Sequence, residues 1–303
     1  MKFGRKYRLT IEGADGASDI VIELPFTMKF NVQRSSFATI NSASIQVLNL
    51  SLETRDSIFK DRFDSNFYRR VTLEAGYSEL AVIFTGSLYV ANSVRQGVDV
   101  ITNIIARDGM YDVLNTNTFK TYAAGTTIRD VVTDLIGGFP NLQQGEIGVI
   151  DGDFKRGVSI NGSTYDALNT YTNNQVFIDN ELVYALNGNE VIEGDLLVLN
   201  ADTGLLETPK RDDAFIVVTS LFEPRVTIGQ MIEIQSVIAP IYDGQYKVIG
   251  IQHEGTISEA VGGQCTSSFN LLVEGQLYGK FVTVGTITAK PARFSRFDAK
   301  GAA

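Results

Sequence analysis

The sequence predicts a mainly β protein interrupted by an α+β insert, and three observations carry that reading. The first is a run of apolar residues at alternate positions, Ile20, Ile22, Leu24, Phe26, Met28, Phe30 and Val32, the period of a strand with one buried face. The second is the stretch 213–273, where short β-branched and aromatic runs are cut by Pro224, Gly229, Asp243-Gly244 and Gly262-Gly263. Strands that closely spaced, with no helix-length pattern between them, suggest an antiparallel barrel or sandwich. The third is that helical spacing is confined to the middle of the chain, where Ile128, Val131, Val132 and Leu135 form an i, i+3, i+4, i+7 stripe.

Taken in order, Lys6 to Glu12 reads as a first strand, closed by the Gly13-Ala14-Asp15-Gly16 turn. The alternating run follows, as one long strand or two collinear ones. Pro25 cannot donate to a ladder, so it is expected at a bend or on an edge. Ser44 to Leu50 is another strand, and Ser51-Leu52-Glu53-Thr54 opens one or two turns of helix. Arg70 to Ala75, Val82 to Val90 and Val98 to Ala106 complete the region, with a hairpin turn at Arg95-Gln96-Gly97.

From Met110 the character changes. Thr126-Thr127 caps the helix stopped by Gly137-Gly138 and Pro140. Ser163 with Asp166 three residues on forms a capping box for a second helix through Tyr171. Gln175 to Ile178 and Leu182 to Ala185 make a hairpin through Asp179-Asn180-Glu181, and Asp195 to Asn200 with Leu205 to Glu207 suggests a further one. The strands of 213–273 are Phe215 to Thr219, Met231 to Ser236, Tyr246 to Gln252 and the alternating Cys265, Ser267, Phe269, Leu271 and Val273. Beyond Lys280 the pattern weakens to an arm.

The chain has 303 residues, enough for two or three units of ordinary domain size. Its 28 glycines and absent tryptophan fit the turns and bulges of a β framework. Net charge is −9, unevenly spread: residues 1–70 hold 11 basic and 8 acidic groups (+3), 71–279 hold 10 and 26 (−16), and 280–303 hold 5 and 1 (+4). An acidic body between mildly basic ends does not suit gripping nucleic acid by its phosphates. The basic N-terminus lacks the apolar segment of a signal peptide, and no window approaches ~18 uninterrupted apolar residues.

The search for chemistry is negative. His253 is the single histidine, so a Ser-His-Asp triad or a histidine metal site has one available centre, and its place at the end of a strand suits a structural or interface role. Cys265 sits on an apolar strand face and reads as a buried thiol rather than a nucleophile. Asp151 with Asp153, and Asp212 with Asp213, are acid pairs in turn-rich segments, read as solvated faces rather than glycosidase carboxylates. Asp151-Gly152-Asp153 lacks the glutamate of a calcium loop. The twelve tyrosines keep a carbohydrate-binding or adhesin module open, although tyrosines at strand positions are mostly packing. No catalytic, cofactor-binding or metal residue is assigned.

A resemblance adds to this. The order Leu221-Phe222-x-Pro224, Ile228-Gly229-Gln230, Asp243-Gly244-x-Tyr246-Lys247-Val248, Ile251-x-His253-x-Gly255 resembles the second barrel of the baseplate-hub proteins of contractile phage tails. Gly76-Tyr77 and Phe84-x-Gly86, followed by a hairpin and a strand ending at Arg107-Asp108-Gly109, are similar to that family's first barrel. The segment between resembles the insert that hub proteins carry.

The resemblance implies two tail-tube-like antiparallel β-barrels, 1–112 and 201–279, flanking a small α+β domain at 113–200, with a C-terminal arm at 280–303. It implies a structural virion protein without enzymatic activity, made in the host bacterial cytoplasm and placed in the tail baseplate. There a homotrimer would form a pseudo-sixfold ring joining the sixfold tail tube protein to the threefold central spike protein. Tape measure and other baseplate proteins are further expected contacts, without membrane insertion. DNA would pass through unbound, and the acidic surplus would partly face that channel. The alternatives are a glycan-binding module, a cell-wall hydrolase and another tube-fold component, such as a distal tail or tube-initiator protein with one barrel per chain.

Overall fold

The computed structural model describes residues 4–37, 40–63, 67–212, 215–259, 262–273 and, for the backbone alone, 282–284. The first β region comprises β1 (Lys6–Ile11), β2 (Ile20–Glu23), β3 (Met28–Ser35), β4 (Ser42–Leu48), β5 (Arg70–Gly76), β6 (Leu80–Gln96) and β7 (Asp99–Arg107), with α1 (Leu52–Ile58) between β4 and β5. Ser51 caps α1, its side chain accepting from the Thr54 amide. The strands pair antiparallel in the order β3-β4-β7-β6-β5-β1-β2.

The two ends of that order, β2 and β3, are consecutive in the chain. The long alternating run therefore turns at Pro25, giving its first half to β1 and its second to β4. The Tyr7 hydroxyl pins the turn, lying 2.8 Å from the Phe26 carbonyl and 3.2 Å from that of Glu23. Ile22, Met28, Phe30 and Val32 are buried, whereas Phe26, at the turn itself, is exposed. The strands enclose one core that includes Leu9, Ile45, Leu73, Phe84 and Ile104. Each such side chain, fully buried, is worth about 2 kcal/mol.

The middle of the chain forms α2 (Met110–Asn115), β8 (Asn117–Tyr122), α3 (Ile128–Ile136), β9 (Gln143–Ile147), β10 (Val158–Ser163), α4 (Thr164–Tyr171), β11 (Val176–Asp179) and β12 (Leu182–Ala185). Both expected caps are present: Thr127 accepts from the Asp130 amide and Ser163 from that of Asp166. Val131, Val132 and Leu135 of the stripe are buried in a second core with Leu168, Ile178 and Val183.

The last region holds β13 (Glu190–Ile192), β14 (Leu197–Leu199), β15 (Lys210–Asp212), β16 (Phe215–Leu221), β17 (Met231–Ile234), β18 (Gly244–Ile257), β19 (Cys265–Leu272) and β20 (Val282–Val284). Strand β18 organises it. One edge pairs with β17 over Gly244–Lys247 and then with β3 over Gly250–Ile257, while the other pairs with β19. The β3–β18 ladder joins the two β regions into one sheet of thirteen strands. Mainly β structure with a large antiparallel sheet is thus present, and no closed barrel forms among the described strands.

Three local expectations change. Leu197–Leu199 pairs parallel with β17 and Leu205 bridges to Ser220, so no hairpin forms over 195–207. Gln96 still pairs with Asp99, which moves the β6–β7 turn to Gly97-Val98. Within the expected arm, Val282–Val284 pairs with β13, and the rest of 280–303 lies outside the described residues. No helix among the described residues is long and apolar enough to cross a membrane.

Candidate functional site

The described residues that converge do so where the three parts of the chain meet, and the β11–β12 turn is at the centre. Asn180 (φ 53) and Glu181 (φ 62) are both left-handed, the backbone of a two-residue type I′ turn. All four residues of β11 are buried because its two faces serve different cores. Val176 and Ile178 enter the insert's core, while Phe177 packs among Leu199, Ile232 and Phe269 of the last region.

The turn itself plugs into the first β region. The Asn180 side-chain oxygen accepts from the Thr85 amide at 2.8 Å, and the Glu181 amide donates to Asp108 Oδ1 at 2.9 Å. Asn41 Nδ2 donates to the Ile178 carbonyl at 2.8 Å. The Glu181 carboxylate takes Arg70 Nε at 2.8 Å and the Tyr68 hydroxyl. Asp179 is paired with Arg34 at 3.3 Å, both side chains sealed from solvent, and Arg34 Nη2 donates to the Val226 carbonyl at 3.1 Å. One guanidinium therefore ties β3, the insert and the last region together.

Close approach here needs glycine. A Cβ on Gly109 would lie 2.8 Å from Ile178 Cδ1, and one on Gly86 would meet the Arg107 backbone at 2.8 Å. Gly109 also has φ 68, a conformation that carries little cost for glycine alone.

Burial dominates the electrostatics. It pushes the Asp108 carboxyl well above the usual carboxylate range, with the neighbouring Asp179 charge adding to the effect. Burial also raises Asp179, against the pull of Arg34, and Glu181, against Tyr68 and Arg70. Burial in this dry site acts against the charged form of each carboxyl.

A second, apolar contact lies along the same seam. Phe222, in the segment after β16, joins the first region's core, its ring 5.9 Å from Phe30 and 6.2 Å from Tyr77. Tyr77 donates from its hydroxyl to the Phe222 carbonyl at 3.0 Å. His253 on β18 meets the Phe222 ring edge-on at 5.5 Å. The Glu223 amide donates to Ser267 Oγ, and the same hydroxyl is hydrogen-bonded to His253 Nδ1 at 2.8 Å. Burial and the Arg34 charge hold the His253 pKa well below the ordinary value. This serine–histidine pair is wholly buried, so it supports the seam and meets no substrate.

The remaining sequence candidates do not converge. Cys265 is buried in the first core, with its thiol pKa raised by burial. Asp151 and Asp153 are exposed, the latter paired with Lys155 at 2.7 Å. Asp212 is exposed on β15, and Asp213 lies outside the described residues. Among the described residues no group of three His, Cys, Asp or Glu is placed to hold a metal. Sequence reasoning missed Arg34, Asn41, Asp179 and Glu181 as a cluster. One signal was available: Arg34 continues the even-numbered buried series of β3, a place where a charge requires a partner.

The family model described as baseplate hub gp41 matches residues 7–256. The fold is similar to that of the 43 kDa tail protein of prophage MuSo2 from Shewanella oneidensis (TM-score 0.58, 8% identity, 88% of this chain and 96% of that one). It is similar to a tail protein from Neisseria meningitidis (0.55, 9%, 90% and 98%). It also resembles an E. coli type VI secretion system component, itself described as structurally similar to the T4 tail proteins gp27 and gp5 (0.54, 11%, 90% and 79%). No curated protein matches the sequence.

Proposed function

This chain belongs to the baseplate hub gp41 family, a structural and non-enzymatic component of the phage tail baseplate, and on that premise we propose that it joins the sixfold tail tube to the threefold central spike and keeps the DNA channel continuous. The observation that carries this reading is the β3–β18 ladder, which sets two β regions side by side in one sheet. A chain built that way offers two neighbouring places in a ring, so three copies satisfy a sixfold partner on one side and a threefold one on the other. In this reading 1–112 and 201–279 act as tail-tube-like units that complete their walls against neighbouring copies. Residues 113–200 brace them from outside, and the basic arm beyond Val284, which itself pairs within the chain, docks on a neighbour.

The test is native mass measurement of the purified chain mixed with the tail tube and spike proteins of the same particle. The expected complex contains three copies of the chain and three of the spike on a tube hexamer. A chain that binds neither protein, or enters the tube as six copies, contradicts the proposal.

A further inference from the structure

The connection between β17 and β18 carries an apolar knob in open water. Val237, Ile238 and Ile241 are 85%, 83% and 85% exposed. Elsewhere among the described residues, the one large apolar side chain exposed to that degree is Val98 in the β6–β7 turn. A single apolar residue on a surface is ordinary, whereas three within one short connection mark a contact surface. The knob is also held in shape by its own backbone. The Ser236 amide donates to Asp243 Oδ1 at 2.6 Å and the Ala239 amide to Ser236 Oγ at 3.1 Å. Pro240–Tyr242 makes a turn of 3-10 helix, and the Tyr246 hydroxyl donates to the Tyr242 carbonyl at 3.0 Å. The turn's polar groups are thus met from within, and Pro240 fixes its own φ. Little conformational freedom remains to be lost when the three side chains are covered.

Direction and number identify what covers it. The β3 ladder on β18 ends at Gly250 and the β19 ladder at Lys247, whereas β18 itself begins at Gly244. At strand rise, Gly244 stands about 20 Å beyond Gly250. The knob therefore leaves the sheet along its strands, not across a strand edge. Ring neighbours stand at strand edges, so the knob faces a protein above or below the ring. The exposed Phe59, Phe63 and Phe67 of the first region differ in this respect. Their segment lies along β6, where Lys60 bridges to Ala91, and a lateral neighbour reaches it. The knob also occurs in the last β region alone. Three copies then present three knobs, which fits a threefold partner, while a sixfold partner needs an equivalent contact from both β regions. From Val226 to Tyr246 the charged residues are Glu233 and Asp243, both acidic. The matching socket is apolar with a neutral or basic rim.

We propose that Val237, Ile238 and Ile241 are the anchor by which each copy grips the threefold central spike protein, seated in an apolar socket on it. This rests on the hub reading above and assigns a surface to it. Three aliphatic side chains desolvated together on a preformed turn have the character of a binding hot spot. The acidic residues flanking them choose the rim of the socket and disfavour an acidic one.

The test uses the full chain carrying Ile238→Cys. Cys265 is buried, so maleimide labelling of the folded chain reports on position 238. Labelling is expected to be fast in the isolated chain, unchanged by the tail tube protein of the same particle, and strongly slowed by its spike protein. A second variant, Val237→Ser with Ile241→Ser, should weaken binding to the spike protein by about tenfold or more and leave binding to the tube protein unchanged. Several results overturn the proposal. A complex with the spike protein in which position 238 still labels freely does so, as does protection by the tube protein instead. Protection already present in the isolated chain does so too, because the arm or a second copy then covers the knob. An unsubstituted chain that binds neither tube nor spike protein defeats the hub reading itself, and this assignment with it.

Discussion

Phe222 and Arg34 reach across the same seam by opposite means. Phe222 carries apolar surface from the last region into the first region's core, between Phe30 and Tyr77. Arg34 brings a charge into a sealed space and meets Asp179 there at 3.3 Å. Burying the ring is favourable by itself. Burying the ion pair costs desolvation that the attraction returns only when geometry is good. The difference teaches a division of labour: the phenylalanine holds the two β regions together, and the polar clasp fixes how the insert sits on them.

That comparison is broken most forcefully at Phe222. Phe222→Ala should lower unfolding stability by about 4 kcal/mol, the cost of a large cavity with little room to collapse. Chemical denaturation measures it, and a loss under about 1 kcal/mol would show that the plug is dispensable. The clasp comes next. Arg34→Met should cost about 3 kcal/mol at neutral pH, because Asp179 is left buried without its partner. If the clasp serves geometry, Arg34→Met with Asp179→Leu should regain most of that loss and still loosen the insert, seen as faster proteolysis in 113–200. A double variant as unstable as the single one contradicts this.

A smaller effect belongs to the turn. Asn180→Gly keeps the left-handed backbone accessible but removes the acceptor of the Thr85 amide, and should cost about 1 kcal/mol. Amide exchange at Thr85 is the sensitive readout, expected to quicken while exchange in β1 does not.

The pH dependence sharpens the same contrast. Asp108 and Asp179 have raised folded-state pKa values, so their contribution is fully present below the usual carboxylate range and is lost as pH rises toward the raised values. His253 has a lowered one, so its contribution is present above the ordinary histidine value and is lost as pH falls below it. Asp108→Asn should therefore gain stability relative to the unsubstituted chain at pH 8 and lose that advantage toward pH 4. Denaturation midpoints at the two pH values measure the difference, and an advantage that grows on acidification reverses the assigned sign.

Local pattern made much of this fold legible. Alternation gave β3, helical spacing with two serine and threonine caps gave α3 and α4, and the Asp179-Asn180-Glu181 turn was visible as a hairpin. The seam was not. The pairing of β3 with β18 joins residues 28–35 with 250–257, and no local period says which strand edges meet. The break at Pro25 was foreseen as a bend, yet its consequence, one apolar run feeding both ends of a strand order, depends on partners far away in the chain. The failed hairpin over 195–207 has the same cause, since Leu197–Leu199 finds a parallel partner in β17. The clasp was half visible: Asp108 and Gly109 stood out in the resemblance and Arg34 broke an apolar series. Their meeting with Asp179 required the fold.

The central claim is that one chain supplies two adjacent places in a ring, and copy number in assembled tail particles tests it most directly. Quantitative mass spectrometry of purified particles, scaled to the tube and spike proteins, should give three copies per tail. Six copies would contradict the account and make the chain a single-place component of the tube.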